Sequence, residues 1–134
     1  MGAEIAAKTF HDYVSFSITV TPDSFIKAFK LITKCLNKFD WTDDIFKIEK
    51  EVVYKQIEND YQTFDNWIDS YYFKDTKYEK TIMGTIESVQ SISLKDINSW
   101  KDKYFCSNNS CVAITGNYSD EDFLTVQNLS LIHI

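Results

Sequence analysis

The 134-residue chain contains one proline and three glycines. That scarcity leaves no room for a flexible linker or a low-complexity segment, and no internal repeat is present. No run of about 18 apolar residues occurs, so no membrane-spanning helix is expected. The start, Met1 to Lys8, lacks a basic segment followed by an apolar core, and so carries no evident secretory signal. Ala6 stands where a myristoylation pattern wants Ser or Thr. No basic stripe relieves a net charge of −6 and a pI of about 4.8, which argues against a nucleic-acid partner. Cys35, Cys106 and Cys111 are odd in number and lack metal-type spacing. They are expected to be buried thiols in a protein of a reducing compartment. Histidine is nearly absent too: His11 and His133 each lack a partner at metal-ligand spacing.

Apolar residues are plentiful, at 44% of the chain with 16% aromatic, which excludes disorder and allows a real core. Residues 13–21 alternate. Val14, Phe16, Ile18 and Val20 point one way, and Ser15, Ser17, Thr19 and Thr21 the other, as in a half-buried strand of an antiparallel sheet. Ile5 to Phe10 is a weaker strand before it, with His11-Asp12 as the hairpin turn. Thr21-Pro22-Asp23 predicts a helix start, with Thr21 as N-cap and Pro22 in the first turn. Phe25, Ala28, Phe29, Ile32 and Leu36 recur at helical spacing to about Asn37. Thr42-Asp43-Asp44 opens a longer helix to about Tyr61, with Ile45, Ile48, Val52, Val53 and Ile57 as its apolar stripe.

A third helix is predicted over Asn66 to Thr76, with Trp67, Ile68 and Tyr71 inward. Met83-Gly84-Thr85 breaks the pattern before a short helical turn. Ser93 to Asp96 reads as a capping box, Cys111 to Thr115 as a short strand, and Ser119 to Asp122 as the cap of a last helix. Trp41, Trp67, Trp100 and Tyr71-Tyr72-Phe73 are expected in the core, since an exposed aromatic patch would instead favour a protein contact. Strands separated by a run of helices give an α+β fold, an antiparallel sheet backed by helices. A sheet of about three strands is small and would need partner strands to cover its edges.

Four segments resemble the insulinase-type metallopeptidases, the pitrilysin and mitochondrial-processing-peptidase family. Gly2 to Thr9 followed by Tyr13-Val14-Ser15-Phe16 is similar to the family's G-x-x-x-N-A-x-T strand and its successor. Glu49-Lys50-Glu51-Val52-Val53 is similar to its E-K-x-V-V helix. Met83 to Ser93 is similar to its G-T-x-x-S-I-x-x-I-S segment, and Ser110 to Asn117 to its apolar strand ending in Gly-Asn. The resemblance covers residues 2–123. It implies an incomplete half-domain over residues 1–123, truncated at its N-terminus, followed by an apolar tail, 124–134, left free to be disordered.

Active members of the family hold Zn²⁺ with two histidines of a His-x-x-Glu-His helix and a Glu from another helix, leaving an open position for water. This chain has no His-x-x-Glu-His; in the family that segment lies upstream of the N-A-x-T strand. An ungapped register from Ala6-Ala7-Lys8-Thr9 places Glu49 on the family's supporting Glu and Gln56 on its ligand Glu. Seven residues apart, the two share one helix face to within about 20°. A neutral amide is a poorer zinc donor than a carboxylate. A rival register, slid by two residues, pairs Glu51 with Glu58 and restores a carboxylate, but it requires a gap. Ala6 also replaces the family's Asn on the edge strand by the substrate.

The resemblance therefore implies a non-catalytic partner half, with no metal held by this chain. Its expected partners are another such half-domain or subunit and an extended peptide lying along Ala6, Ala7, Lys8 and Thr9; a nucleic acid or a membrane is not expected. Two alternatives stand beside it. One is a fragment of an active zinc endopeptidase, with Glu58 as its carboxylate and its histidines upstream. The other is an interaction module of unrelated topology, which would lack a β-hairpin before the first helix. Taken without the resemblance, Glu49, Glu51 and Glu58 are ordinary solvated helix positions and His11 is a turn residue.

Overall fold

The computed structural model describes residues 2–37, 41–60, 68 and 70–133. The fold is α+β. Two antiparallel strands, β1 (Ala3–Thr9) and β2 (Val14–Val20), form a hairpin, and helices follow. Among the described residues the sheet has these two strands only. The Phe10 N–H donates to the Tyr13 carbonyl at 2.8 Å, which closes the turn and sets the register. Counting back from that bonded pair, Lys8, Ala6 and Glu4 aim their backbone groups at β2, opposite Ser15, Ser17 and Thr19. Ala3, Ile5, Ala7 and Thr9 aim theirs away from it. Directly opposed residues share a face, so one face carries Ile5, Ala7, Val14, Phe16, Ile18 and Val20, and the other Glu4, Ala6, Lys8, Ser15, Ser17 and Thr19. The alternation predicted for β2 appears in burial only over Ser17–Val20; before it Ser15 is half-buried like Val14, and Phe16 is exposed like Ser17.

Pro22–Ser24 form a single 3-10 turn that leads into helix α1, Phe25–Asn37. Thr21 is the cap in backbone terms only: it has an extended backbone and its side chain makes no capping bond. Helix α2 spans Asp43–Asp60, and the Thr42 hydroxyl accepts from the Ile45 N–H at 3.3 Å. Helix α3, Ile86–Ser91, starts in a reciprocal capping box. The Ser88 N–H donates to the Thr85 hydroxyl (3.2 Å) and the Thr85 N–H to the Ser88 hydroxyl (2.9 Å). Gly84 enters this box at φ 75°, in the left-handed region where a side chain is strained. Helix α4, Leu94–Tyr104, and helix α5, Asp120–His133, begin alike: Asp96 and Asp122 accept from the backbone N–H and the hydroxyl of Ser93 and Ser119. The expected third helix falls partly outside the described residues, as does Trp67. Ser70 to Tyr72 are helical and 73–75 form a turn.

The chain divides into two compact units. The first comprises Met1–Lys8, Ser15–Asp40 and Asn98–Ile134. In it α1 packs against α5, and Ala28, Thr33 and Val126 are buried. The Thr33 hydroxyl is satisfied by the Phe29 carbonyl at 2.9 Å, so its burial leaves no polar group unpaired. Phe105 meets Phe16 edge-on at 5.7 Å and Trp100 at 5.4 Å. The second unit comprises Thr9–Val14 and Trp41–Ile97. In it α2 packs against α3, and Ile57 and Val89 are buried. Lys50 joins the two helices, with its ammonium donating to the carbonyls of Gln90 (3.0 Å) and Ile92 (2.7 Å). These carbonyls lie at and just past the end of α3, where a cation is favoured.

Five sequence expectations need correction. Residues 111–115 form no strand; the run is apolar but finds no ladder. Of the predicted α2 stripe only Ile57 is buried, while Ile45, Ile48 and Val52 face solvent. Tyr71, Tyr72, Phe73 and Trp100 are exposed rather than core, Tyr71 at 68%. Cys35 and Cys111 are exposed thiols and Cys106 is half-buried; all three are free. The last helix runs on through most of the stretch read from sequence as an apolar tail.

Candidate functional site

Three groupings of chemistry-bearing residues emerge. The first is the outer side of β1. All seven residues of the strand are exposed, and Ile5, at 59%, is among the most exposed large apolar residues of the chain. Ala6, Ala7, Lys8 and Thr9, the expected peptide-contacting segment, all lie in this strand. The register assigns them different roles. Ala7 and Thr9 turn their backbone donors and acceptors outward, whereas Ala6 and Lys8 spend theirs on β2. An extended chain laid along β1 would pair with Ala3, Ile5, Ala7 and Thr9. The sequence offered the segment; the hairpin register selects within it.

The second grouping is on α2. Glu49 and Gln56 share one face of the helix, and both are exposed. Ile45, Ile48 and Val52 lie on the same side. Glu51 and Glu58, the pair of the rival register, are exposed on another face. Among the described residues no three His, Cys, Asp or Glu side chains converge on a point where a metal could sit. His11 lies in the hairpin turn, and the side chain of His133 is outside the described set.

The third grouping was not legible in the sequence. At the hairpin turn, Asp12 accepts a hydrogen bond from the Lys77 ammonium and another from the Tyr78 hydroxyl at 2.9 Å. Lys77 also sits over the Tyr78 ring at 4.8 Å, and His11 stands edge-on to that ring at 5.3 Å while its Nε2 lies 3.3 Å from the Lys80 carbonyl. The Lys77 hydrogen bond, then that of Tyr78, lowers the Asp12 pKa below the usual carboxylate value. The hydrogen bond to Asp12 raises that of Lys77. The cluster is fully at the surface, and its groups satisfy one another. Chemically it is a staple that fixes the hairpin turn to residues 73–80. It offers no unpaired base or nucleophile.

An open cleft of about 440 Å³ in the first unit is lined by Pro22, Asp23, Ile26, Asn117, Tyr118, Ser119 and Asp122. Asp122 is committed to capping α5: the Ser119 N–H, then its hydroxyl, lowers the Asp122 pKa. That leaves Asp23 as the carboxylate not engaged in a cap, too little for a cation site. Compared with protein-family models the chain finds no match, and compared with curated proteins it finds none either.

Proposed function

We propose that this chain is a non-catalytic partner half of the insulinase-type fold, working as a surface that holds an extended peptide along the outer edge of β1. The observation that carries the reading is that edge: a seven-residue strand, exposed throughout, with the backbone groups of alternate residues turned away from the hairpin. Strand addition uses such an edge directly, with main-chain hydrogen bonds for affinity and side chains for selection. Small residues at Ala3, Ala6 and Ala7 keep the approach clear. The order of three of the resembling segments, Gly2 to Phe16, Glu49 to Val53 and Met83 to Ser93, supports the reading; the fourth, Ser110 to Asn117, forms no strand. Gln56, standing where the family's ligand carboxylate would fall, supports the loss of chemistry.

Two measurements test the reading. Extended, proline-free peptides should bind the purified chain, and Ile5→Pro should weaken them about tenfold or more. The Ile5 N–H faces outward, so proline there removes a donor to the peptide while the hairpin ladder keeps its own. In parallel, neither the wild-type chain nor Gln56→Glu should retain zinc, because one carboxylate cannot replace two imidazoles. Stoichiometric zinc together with chelator-sensitive peptide cleavage would overturn the proposal.

A further inference from the structure

The outer edge of β1 is self-complementary, and we infer that it pairs with the same edge of a second copy of this chain. The inference rests on the hairpin alone and does not need the family resemblance. The register leaves Ala3, Ile5 and Ala7 with outward-facing backbone groups, all at odd positions. Two β1 strands related by a two-fold axis run antiparallel, and residue numbers across the pair sum to a constant. Because hydrogen-bonded pairs must join odd positions to odd positions, that constant is even.

Centring the axis on Ala6 satisfies the condition. Ile5 then exchanges both backbone bonds with Ala7 of the second copy, and Ala7 does so with its Ile5. Glu4 falls directly opposite Lys8 of the second copy, and Lys8 opposite its Glu4. These charged residues occupy non-hydrogen-bonded positions, where side chains across the ladder come closest, about 4.5 Å between Cα atoms. The axis itself passes Ala6 against Ala6, where bulk would be least tolerated. Shifting the axis by one residue either way keeps the parity but breaks both charge pairs. Thus the one centre that matches Glu4 with Lys8 is also compatible with the backbone and places small residues together.

Pairing in this way yields a four-stranded sheet in the order β2-β1-β1-β2. The apolar face of each hairpin, with Ile5, Phe16 and Ile18, becomes continuous across the two copies. Closing an edge of this kind on a like edge is one of the ordinary ways an open strand is covered. It also makes the second copy a competitor of any peptide that uses the edge.

Charge exchange tests the pairing. Sedimentation of the wild-type chain over a wide concentration range should show a monomer–dimer equilibrium. Lys8→Glu or Glu4→Lys alone sets like charges opposite each other twice per dimer and should weaken association about tenfold or more. The double exchange, Glu4→Lys with Lys8→Glu, restores opposite signs and should return the dissociation constant to within about threefold of wild type. Both substituted positions are exposed strand residues, and circular dichroism of each variant would register any loss of fold. A chain that stays monomeric to about millimolar concentration overturns the inference. So does a dimer insensitive to single charge reversal, or one that the double exchange fails to restore. Peptide binding, measured on the monomer at low concentration, reports on the proposed function separately.

Discussion

Two isoleucines on one helix should differ sharply in what they contribute to stability. Ile57 is 3% exposed and Ile48 is 61% exposed, both on α2. Truncating Ile57 to alanine removes three carbons from a buried site on α2. At about 0.8 kcal/mol per buried methylene the transfer loss is roughly 2.4 kcal/mol, and the cavity left behind carries it to about 3 kcal/mol. For Ile48 less than half of that surface is withdrawn from water and no enclosed cavity forms. The transfer loss is then about 1 kcal/mol at most, offset in part by the better helix propensity of alanine, for a net change of about 0.5 kcal/mol. Urea denaturation followed by far-ultraviolet circular dichroism would give both values, with unchanged slopes indicating an unchanged denatured state. On heating, the Ile57→Ala transition should fall by about 10 °C, and that of Ile48→Ala by no more than about 2 °C. Equal losses for the two variants would refute the assignment of the Ile48 face to solvent.

Gly84→Ala should cost about 1–3 kcal/mol, because φ 75° is a strained conformation for a side chain and the new Cβ would lie 2.7 Å from the Ser88 hydroxyl. Thr85→Ala, which removes the cap of α3 without backbone strain, should cost about 1 kcal/mol, and thermal melts of the two variants check the ranking. The Asp12–Lys77 staple predicts a stability plateau with two edges. Since the Asp12 pKa is lowered on folding, its contribution is complete above the ordinary value of 3.8 and fades as pH falls toward the lowered folded value. Since that of Lys77 is raised, its contribution is complete below 10.5 and fades as pH climbs through the raised folded value. Stability of wild type against Asp12→Asn across pH would show the difference shrinking at both ends and level between them.

The hairpin was legible because strict alternation at residues 13–21 leaves a strand few alternatives, and because two polar residues between two runs read as a turn. The capping boxes at Ser93 and Ser119 were legible for a similar reason: each is written within four residues. Helix α2 shows where periodicity stops. It reports which residues share a face, not whether anything covers that face. Ile57 lies about 120° around the helix from Ile45, among Phe46 and Val53, so α2 is apolar on two sides. One side meets α3 and the other meets water. Residues 111–115 are apolar without alternation, a pattern equally open to a strand and to an irregular segment, and among the described residues no strand pairs with them; all but Ile114 are exposed. Of the candidate site, the segment Ala6 to Thr9 could be chosen from sequence, but not which of its amides turn outward; that follows only from the Phe10–Tyr13 pairing. The Asp12–Lys77 pair joins residues 65 apart and has no local signature.

Amide hydrogen exchange along β1, residue by residue, bears most directly on the outer edge as the working surface. In the dilute free protein the amides of Ile5 and Ala7 should exchange quickly and those of Ala6 and Lys8 slowly, an alternation set by the hairpin register. On saturation with an extended peptide Ile5 and Ala7 should become protected and Ala6 and Lys8 should change little. Uniform exchange along the strand, or peptide binding that leaves Ile5 and Ala7 unprotected, would contradict the account.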